Sequence, residues 1–127
     1  MWKSGLKLLV VEDNLLNQKL IKLHLQKHGF EIDFAENGKV ALEMLDDKKY
    51  DLILMDLMMP VMDGLEACVN IRKKEEGTDE HITIIGLTAN TLDADRQKCL
   101  SHGMDEYMMK PFDIDEFHTI LLKLKLL

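Results

Sequence analysis

The sequence predicts an α/β fold in which one parallel sheet of five strands is covered by five helices on its two faces. Short apolar runs alternate with longer amphipathic stretches along the chain, as in repeated strand–helix units. Several runs are apolar at every position, which is typical of strands buried on both faces of a parallel sheet. Right-handed connections between such strands give a doubly wound sandwich. A chain of 127 residues suits one domain with one hydrophobic core.

The predicted strands are short. Residues 52–55 (LILM) form a continuous apolar run that leads into a single carboxylate, Asp56. Residues 30–35 (FEIDFA) instead alternate with a period of two, so we expect a half-exposed strand at or near an edge of the sheet. The complete set of predicted strands comprises residues 7–11, 30–35, 52–55, 82–88 and 106–109.

The first predicted helix spans residues 14–28. Leu16, Leu20 and Leu23 share one face of this helix, and we take them as its main apolar stripe. Gly29 follows as a C-terminal stop. Such a stripe is the feature by which an amphipathic helix packs on a core.

Four further helices are predicted from their end signals. The second begins at Asn37-Gly38, and Asp63 can cap a third that runs to about residue 76. The last opens at Asp113, where Glu116 completes a capping-box pattern. The fourth, residues 91–102, has a poor apolar stripe, so we expect a marginally packed element that can adopt two arrangements.

Composition and charge exclude several classes of partner. The formal net charge of −7 argues against nucleic acid or an anionic membrane as a direct partner, because both require a basic face. No apolar run approaches the length of a membrane span, and no secretory signal is visible. Residues 1–5 (MWKSG) are interpreted as a tag remnant or a flexible lead-in. Cys68 and Cys99 are expected to be buried thiols in a reducing cytoplasm rather than a disulfide.

Polar side chains stand where four of the predicted strands end. They are Glu12 and Asp13 after the first strand, Asp56 after the third, Thr88 at the end of the fourth and Lys110 after the fifth. In doubly wound folds, ligands bind outside the carboxyl ends of the strands. Three carboxylates, a hydroxyl and an ammonium group are therefore expected to converge on one rim of the sheet.

This set of groups suits phosphoryl transfer. Three close carboxylates repel one another unless a cation joins them, and their hard oxygens favour Mg²⁺ (or Mn²⁺). The ion would recruit phosphate oxygens, Lys110 could pair with another, and Thr88 could donate a hydrogen bond to a third. Asp56 is then the carboxylate aimed at phosphorus, and aspartate is a known nucleophile for phosphoryl groups.

Four motifs carry a resemblance to a known family: VVEDN, LILMDLMMPVMDG, GLTAN and YMMKPF. With Glu12-Asp13, Asp56, Thr88-Ala89 and Lys110-Pro111 in this order and spacing, the chain resembles the receiver domain of two-component response regulators from Leu8 to about Leu124. The stretches VEDNLLNQKLI and LTANTLDADRQKCLSHGMDEYMMKPF further resemble receivers fused to hybrid sensor histidine kinases. The resemblance implies a flavodoxin-like sheet of order 2-1-3-4-5 and a single receiver domain over residues 1–127, with a core at about 7–125.

The resemblance also implies the roles of the acidic residues. Asp56 would be the phosphoacceptor and a metal ligand, and Asp13 would bind Mg²⁺ directly. Glu12 would assist through water, and the backbone carbonyl of Met58 would be a further ligand. Lys110 would contact the phosphoryl group, with a cis peptide bond between it and the following proline.

The remaining implied roles concern switching. Thr88 and Tyr107 match the switch pair, in which the threonine hydroxyl moves toward the phosphoryl group and the aromatic ring turns inward behind it. The backbone of Ala89 would contact phosphate, and Lys110-Pro111 is the expected cis pair. The face formed by the fourth helix, fifth strand and fifth helix would thereby change, so the domain would act as a phosphoacceptor switch rather than a conventional enzyme.

The implied partner is a phosphohistidine donor, either a histidine kinase or a histidine phosphotransfer protein. In this family the donor usually docks near the first helix and the loop after the fifth strand, which makes Leu15 a candidate contact. The domain would be cytoplasmic, either alone or as the cytoplasmic portion of a membrane-bound hybrid kinase, with no contact of its own with membrane or nucleic acid.

Two other functions remain open from the residues. A degenerate receiver would act as a phosphorylation-independent binding module, although such domains usually lose one of the acidic, phosphoacceptor or lysine positions that are kept here. A phosphohydrolase with an aspartyl-phosphate intermediate usually carries a second aspartate two residues after the nucleophile, where this chain has Met58. Nucleotide binding is disfavoured because no glycine-rich phosphate loop is present.

Two positions are predicted to affect the lifetime of a phosphoryl group. In receivers, the side chains two residues after the phosphoacceptor and two after the switch threonine flank the path of the attacking water. In this chain these residues are Met58 and Asn90. Because Met58 cannot orient water by a strong hydrogen bond, we predict that self-dephosphorylation is not fast.

Overall fold

The structure is a computed structural model that describes residues 2–59, 61–89 and 93–127. Five parallel strands form one sheet of order β2-β1-β3-β4-β5, which confirms the predicted fold class. The central strand β3 is buried along its whole length, whereas β2 lies at an edge and is largely half-exposed, as its alternating sequence predicted. The strands are β1 (Lys7–Val11), β2 (Glu31–Ala35), β3 (Leu52–Asp56), β4 (Thr83–Thr88) and β5 (Glu106–Met109).

The helices alternate with the strands. They are α1 (Leu15–Gln26), α2 (Gly38–Asp47), α3 (Gly64–Glu75), α4 (Asp93–Ser101) and α5 (Ile114–Lys123). The helices α1, α2, α3 and α5 begin after a side chain that accepts a hydrogen bond from a first-turn amide, namely Asn14, Asn37, Asp63 and Asp113. Thr91 and Leu92, at the start of the predicted fourth helix, lie outside the described residues. Within the described ranges, no helix has the length and apolar character that a membrane crossing needs.

The sheet separates the core into two clusters because alternate strand residues point to opposite faces. One cluster joins residues such as Leu8 and Leu54 to α1 and α5, and the other joins residues such as Leu9 and Ile53 to α2, α3 and α4. Cys68 and Cys99 are buried thiols in the second cluster, as predicted.

The apolar stripe assigned to α1 was wrong as a core face. Leu16, Leu20 and Leu23 do share a face, but they are 65%, 48% and 59% exposed. Ile21 and Leu25, on the other side of the helix, pack against the sheet instead. The helix has two apolar faces, and periodicity alone does not distinguish the buried face from the exposed one.

The interpretation of residues 1–5 as a flexible lead-in was also wrong, because residues 2–5 pack on the domain together with Leu6. Ser4 is buried, and Trp2 and Leu6 are partly buried against the cluster beneath α1 and α5. Backbone hydrogen bonds join this segment to residues 28 and 31. The segment is therefore part of the folded domain.

Candidate functional site

Three carboxylates meet where β1 and β3 end. The two strands are paired in parallel, with Val11 opposite Met55, so the residues that follow lie side by side at one rim. Glu12, Asp13 and Asp56 each offer an oxygen, and these oxygens lie within 4.8 Å of one another. Glu12 and Asp56 are buried, whereas Asp13 is exposed. The predicted convergence of the three carboxylates is confirmed.

Lys110 completes this rim from the other side. Its Nζ lies 2.9 Å from Oδ1 of Asp56. Its backbone N–H donates to the carbonyl of Thr88 at 2.7 Å, which ties the loop after β5 to the end of β4. The Lys110-Pro111 peptide bond is cis, the form expected from the sequence.

The two buried carboxylates are only partly satisfied. Oδ1 of Asp56 accepts from Lys110 and from the N–H of Met58 at 3.1 Å, and Oε2 of Glu12 accepts from the N–H of Asn14 at 3.3 Å. Among the described residues, the second oxygen of each carboxylate is buried without a hydrogen-bond partner. Burial and the adjacent Asp56 carboxylate together raise the pKa of Glu12 to about 7.

The site fits a hard divalent cation. Two buried, unpartnered carboxylate oxygens are an arrangement that proteins rarely leave without an ion, a proton or water. The cluster consists of carboxylate oxygens, which are the ligands that Mg²⁺ and Mn²⁺ prefer. The exposure of Asp13 leaves the cluster open to solvent on one side, as an ion that keeps several waters requires.

The remaining predicted residues lie on β4, on β5 and in the loops that follow β3 and β4. Thr88 is the last residue of β4 and is buried, and Ala89 follows it as an exposed residue. The side chain of Met58 is 77% exposed, although its N–H is bonded to Asp56. Tyr107 is half-buried in β5 against the cluster beneath α4, and the guanidinium carbon of Arg96 lies 5.9 Å from its ring centroid. Asn90 lies outside the described residues.

Sequence reasoning missed two residues that shape the site. Gln18 of α1 donates from Nε2 to the carbonyl of Glu12 at 2.6 Å, which holds the turn after β1. Gly64, the first residue of α3, allows the helix to approach the end of β3, because a Cβ there would overlap the Asp56 carbonyl oxygen. The adjacent pair Asp63-Gly64 was a visible signal for a tight helix start, but the close contact depends on the tertiary fold.

A groove of about 390 Å³ adjoins the rim. It runs between α1 and the loop after β5, and its walls include Leu20, His24, Lys110 and Phe112. A slightly larger groove of about 490 Å³ lies near the opposite end of the sheet. The smaller groove is the one that Glu12 and Lys110 of the rim both line.

The response regulator receiver domain family matches residues 8–122, nearly all of the strands and helices described above. This chain belongs to that family. Receiver domains are the phosphoacceptor switches of two-component signalling systems, which accords with the carboxylate cluster and the lysine at the rim.

The relatives of this receiver include hybrid kinases. The chain is 46% identical over 112 residues to hybrid signal transduction histidine kinase I of Dictyostelium discoideum, covering 84% of this chain and 6% of that protein. It spans 5% to 11% of the length of the histidine kinases that it matches.

Two solved structures are informative neighbours. The receiver domain of sensor histidine kinase PA1611 from Pseudomonas aeruginosa, with magnesium coordinated in its active-site cleft, is 38% identical with a TM-score of 0.82, over 94% of this chain and 97% of that one. The second neighbour is a co-crystal of the Saccharomyces cerevisiae histidine phosphotransfer protein Ypd1 with the receiver domain of Ssk1. It is 29% identical with a TM-score of 0.87, over 97% of this chain and 90% of that one.

Proposed function

We propose that this receiver accepts a phosphoryl group from a phosphohistidine donor onto Asp56, in a reaction that requires Mg²⁺ (or Mn²⁺). One observation carries the proposal. Oδ1 of Asp56 is held by the Lys110 ammonium group and the Met58 N–H, while Oδ2 has no partner among the described residues. The two donors on Oδ1 hold the carboxylate in one orientation, and Oδ2 is the oxygen that would attack phosphorus.

The transfer is an in-line displacement. Oδ2 of Asp56 forms a bond to phosphorus as the bond from phosphorus to the donor imidazole nitrogen breaks, and that electron pair returns to the imidazole. The lysine ammonium group offsets negative charge on the phosphoryl oxygens, and the Thr88 hydroxyl and the Ala89 N–H can donate hydrogen bonds to them. These groups are in place before the reaction begins, so they stabilise the transition state without reorganisation.

Glu12, Asp13, Asp56 and the Met58 carbonyl are the groups that would hold the ion. A bound Mg²⁺ supplies positive charge beside the phosphoryl oxygens and relieves the repulsion within the acidic cluster. Burial keeps Glu12 in a low-dielectric setting, where that relief is large.

The proposed switch pair is Thr88 and Tyr107. The two residues lie on neighbouring strands, and the ring of Tyr107 is half-buried near Arg96 of α4. Movement of the threonine hydroxyl toward a phosphoryl group would leave space behind it for the ring to turn inward. The surface of α4, β5 and α5 would then change, and the domain would be reset by hydrolysis that its own site promotes.

The exposed leucines of α1 suggest where the phosphodonor docks. Leu15, Leu16, Leu20 and Leu23 are 48% to 71% exposed, and Leu20 lines the groove beside Lys110. Exposed apolar patches of this kind commonly mark protein–protein contacts. A histidine kinase or a histidine phosphotransfer protein, such as the Ypd1 seen with Ssk1, is the partner that this surface would accept.

A matched pair of leucine variants tests the docking surface. Leu20→Ala should slow transfer from a histidine phosphotransfer protein about tenfold while leaving labelling by acetyl phosphate unchanged. Leu122→Ala is the control, because Leu122 is also exposed but lies on α5. Equal transfer rates for the two variants would reject this docking site.

The extent and location of the domain are part of the same proposal. Residues 1–127 would act as one receiver domain in the cytoplasm, alone or within a longer hybrid kinase. Phosphohydrolase activity is disfavoured by Met58 at the position where such enzymes usually carry a second aspartate. A pure binding module is disfavoured because all of the phosphoacceptor machinery is present.

Intact mass after incubation with acetyl phosphate, with and without Mg²⁺, tests the chemistry. We expect one hydroxylamine-labile phosphoryl group that requires Mg²⁺ and is absent in Asp56→Asn. Asp79→Asn is the matched control, because Asp79 lies in an exposed turn. Failure to label under conditions that label another receiver would favour the binding module, unless hydrolysis of a phosphate ester shows rapid turnover.

A further inference from the structure

Residues 2–6 hold an unusual aromatic stack. The indole of Trp2 lies between two imidazoles, with ring centroids 3.8 Å from His28 and 4.3 Å from His118. The interplanar angles are 17° and 3°, so both contacts are face to face. His28 lies just after α1 and His118 lies in α5, so a single side chain bridges two helices.

The backbone holds this segment in place. The Trp2 carbonyl accepts a hydrogen bond from Nδ1 of His28 at 2.7 Å, which requires a proton on that nitrogen. The Ser4 N–H donates to the His28 carbonyl at 2.6 Å, and the Glu31 N–H donates to the Leu6 carbonyl at 3.1 Å. Gly29 has a φ of +80°, and a Cβ there would lie 2.9 Å from the Ser4 carbonyl oxygen. The turn after α1 is therefore shaped to receive the segment.

The segment covers aromatic residues of the core. Trp2 meets Phe30 edge to face at 5.8 Å, and Phe30 in turn contacts Phe117 of α5 at the same centroid distance. Trp2 and Leu6 both pack on the cluster beneath α1 and α5. Removal of the segment would open this end of the cluster to water.

We propose that residues 2–6 form a strap that fastens α5 to the end of α1, with Trp2 between the two imidazoles as its fastening point. The strap limits the local opening of α5. It is distinct from the phosphoacceptor rim, because neither its rings nor its hydrogen bonds involve residues of that site. It is held by a few stacked rings and backbone bonds, so it can release without global unfolding.

Hydrogen exchange of the full chain tests whether the strap restrains α5. In Trp2→Ala, the amides of α5 should exchange about tenfold faster than in the parent, while those of α3 change little. Trp2→Phe should stay close to the parent, because a phenyl ring can keep the stack. Lys3→Ala is the matched control on an exposed neighbour. Unchanged exchange of α5 in Trp2→Ala would overturn the proposal.

Fluorescence provides a second test that leaves the strap sequence unaltered. Trp2 is the only tryptophan in the chain, so acrylamide quenching reports on this indole alone. His118→Ala should raise the quenching constant at least about twofold toward that of free indole, because one wall of the stack is lost. Thr119→Ala, an exposed neighbour on the same helix, should not. An indole in the parent as accessible as free N-acetyltryptophanamide would also overturn the proposal.

Discussion

Two charged clusters lie at opposite ends of the sheet, and they are built differently. At the carboxyl end, Glu12, Asp13 and Asp56 lie together, Lys110 pairs with Asp56, and two carboxylate oxygens are left buried without a partner among the described residues. At the amino end, Arg72 of α3 bonds to Glu75 and Asp105 at 2.7 and 3.0 Å. Both clusters are partly shielded from water, but only in the second does every carboxylate oxygen accept a hydrogen bond.

The Arg72 cluster satisfies every carboxylate oxygen it contains. Those of Glu75 accept from Arg72 and the Ile82 N–H, and those of Asp105 accept from Arg72, the Ile84 N–H and Nε2 of His81. The guanidinium also donates to the carbonyls of residues 82 and 103. This cluster joins α3 to the starts of β4 and β5, and all of its carboxylate oxygens are occupied by donors of the protein itself.

The Arg72 network uses its charges to stabilise the fold, whereas the acidic cluster keeps carboxylate oxygens available for function. A complete network stabilises because each buried charge is paired and hydrogen-bonded. An incomplete, like-charged cluster weakens the fold until a cation or a proton reduces its negative charge. The following predictions test that difference.

Breaking the complete network should have the largest effect. Arg72→Met leaves two partly buried carboxylates without their cation and removes four hydrogen bonds, so the free energy of unfolding should fall by about 3 kcal/mol. Lys73→Met, an exposed neighbour on the same helix, should change it by less than about 0.5 kcal/mol. Urea denaturation measures both, and equal effects would show that the network contributes nothing special.

Removing a negative charge from the acidic cluster should raise the free energy of unfolding, whereas breaking the Arg72 network lowers it. The pKa of Glu12 is about 7 in the folded chain and 4.5 in an unperturbed glutamate. Between pH 4.5 and 7, the folded state therefore keeps a proton on Glu12 that the unfolded state has lost. Stability should therefore fall as pH rises through this window, by up to about 3 kcal/mol. Glu12→Gln should remove that loss and exceed the parent in stability near pH 8 in EDTA.

The control for this pH dependence is Glu76→Gln, which changes an exposed glutamate at the end of α3. Urea midpoints across the pH range, taken as differences from the parent, isolate the contribution of Glu12. A Glu12→Gln curve parallel to that of the parent would contradict the assigned pKa.

Filling the cluster with its ion should also stabilise it. At a Mg²⁺ concentration about 100 times Kd, the free energy of unfolding should rise by about 2.7 kcal/mol. Asp13→Asn should reduce this gain, and Asp47→Asn, at the exposed end of α2, should keep it. No midpoint shift with Mg²⁺ in the parent would argue against a metal site.

The smallest effect should be purely kinetic. Met58→Asn places a group that can orient water beside Asp56, so the phosphoryl half-life should shorten a few-fold, a barrier change on the order of 1 kcal/mol. Val61→Asn is the control in the same loop, since its φ of 70° is one that asparagine tolerates. A half-life in Met58→Asn that is unchanged or longer would contradict the predicted role of Met58.

Much of this molecule follows from local sequence. The strand runs, the side-chain caps at Asn37, Asp63 and Asp113, and the polar residues at strand ends all carried enough information to predict the fold and the rim. These signals are local because each depends on residues within one turn or one strand. Because the carboxyl ends of parallel strands lie along one edge of the sheet, residues at those ends are brought together once the sheet forms.

The tertiary structure decided what local patterns left ambiguous. Sequence periodicity found the stripe of Leu16, Leu20 and Leu23 on α1, but only packing against the sheet selected Ile21 and Leu25 for the core. The docking of Trp2 depends on imidazoles at positions 28 and 118, which no local pattern connects. Burial likewise leaves one oxygen of Glu12 and one of Asp56 without a partner in the part of the chain that the structure describes. Burial and long-range contact depend on the whole chain, so the sequence determined the elements and the chemistry of the rim, while the fold determined which surfaces remain available for function.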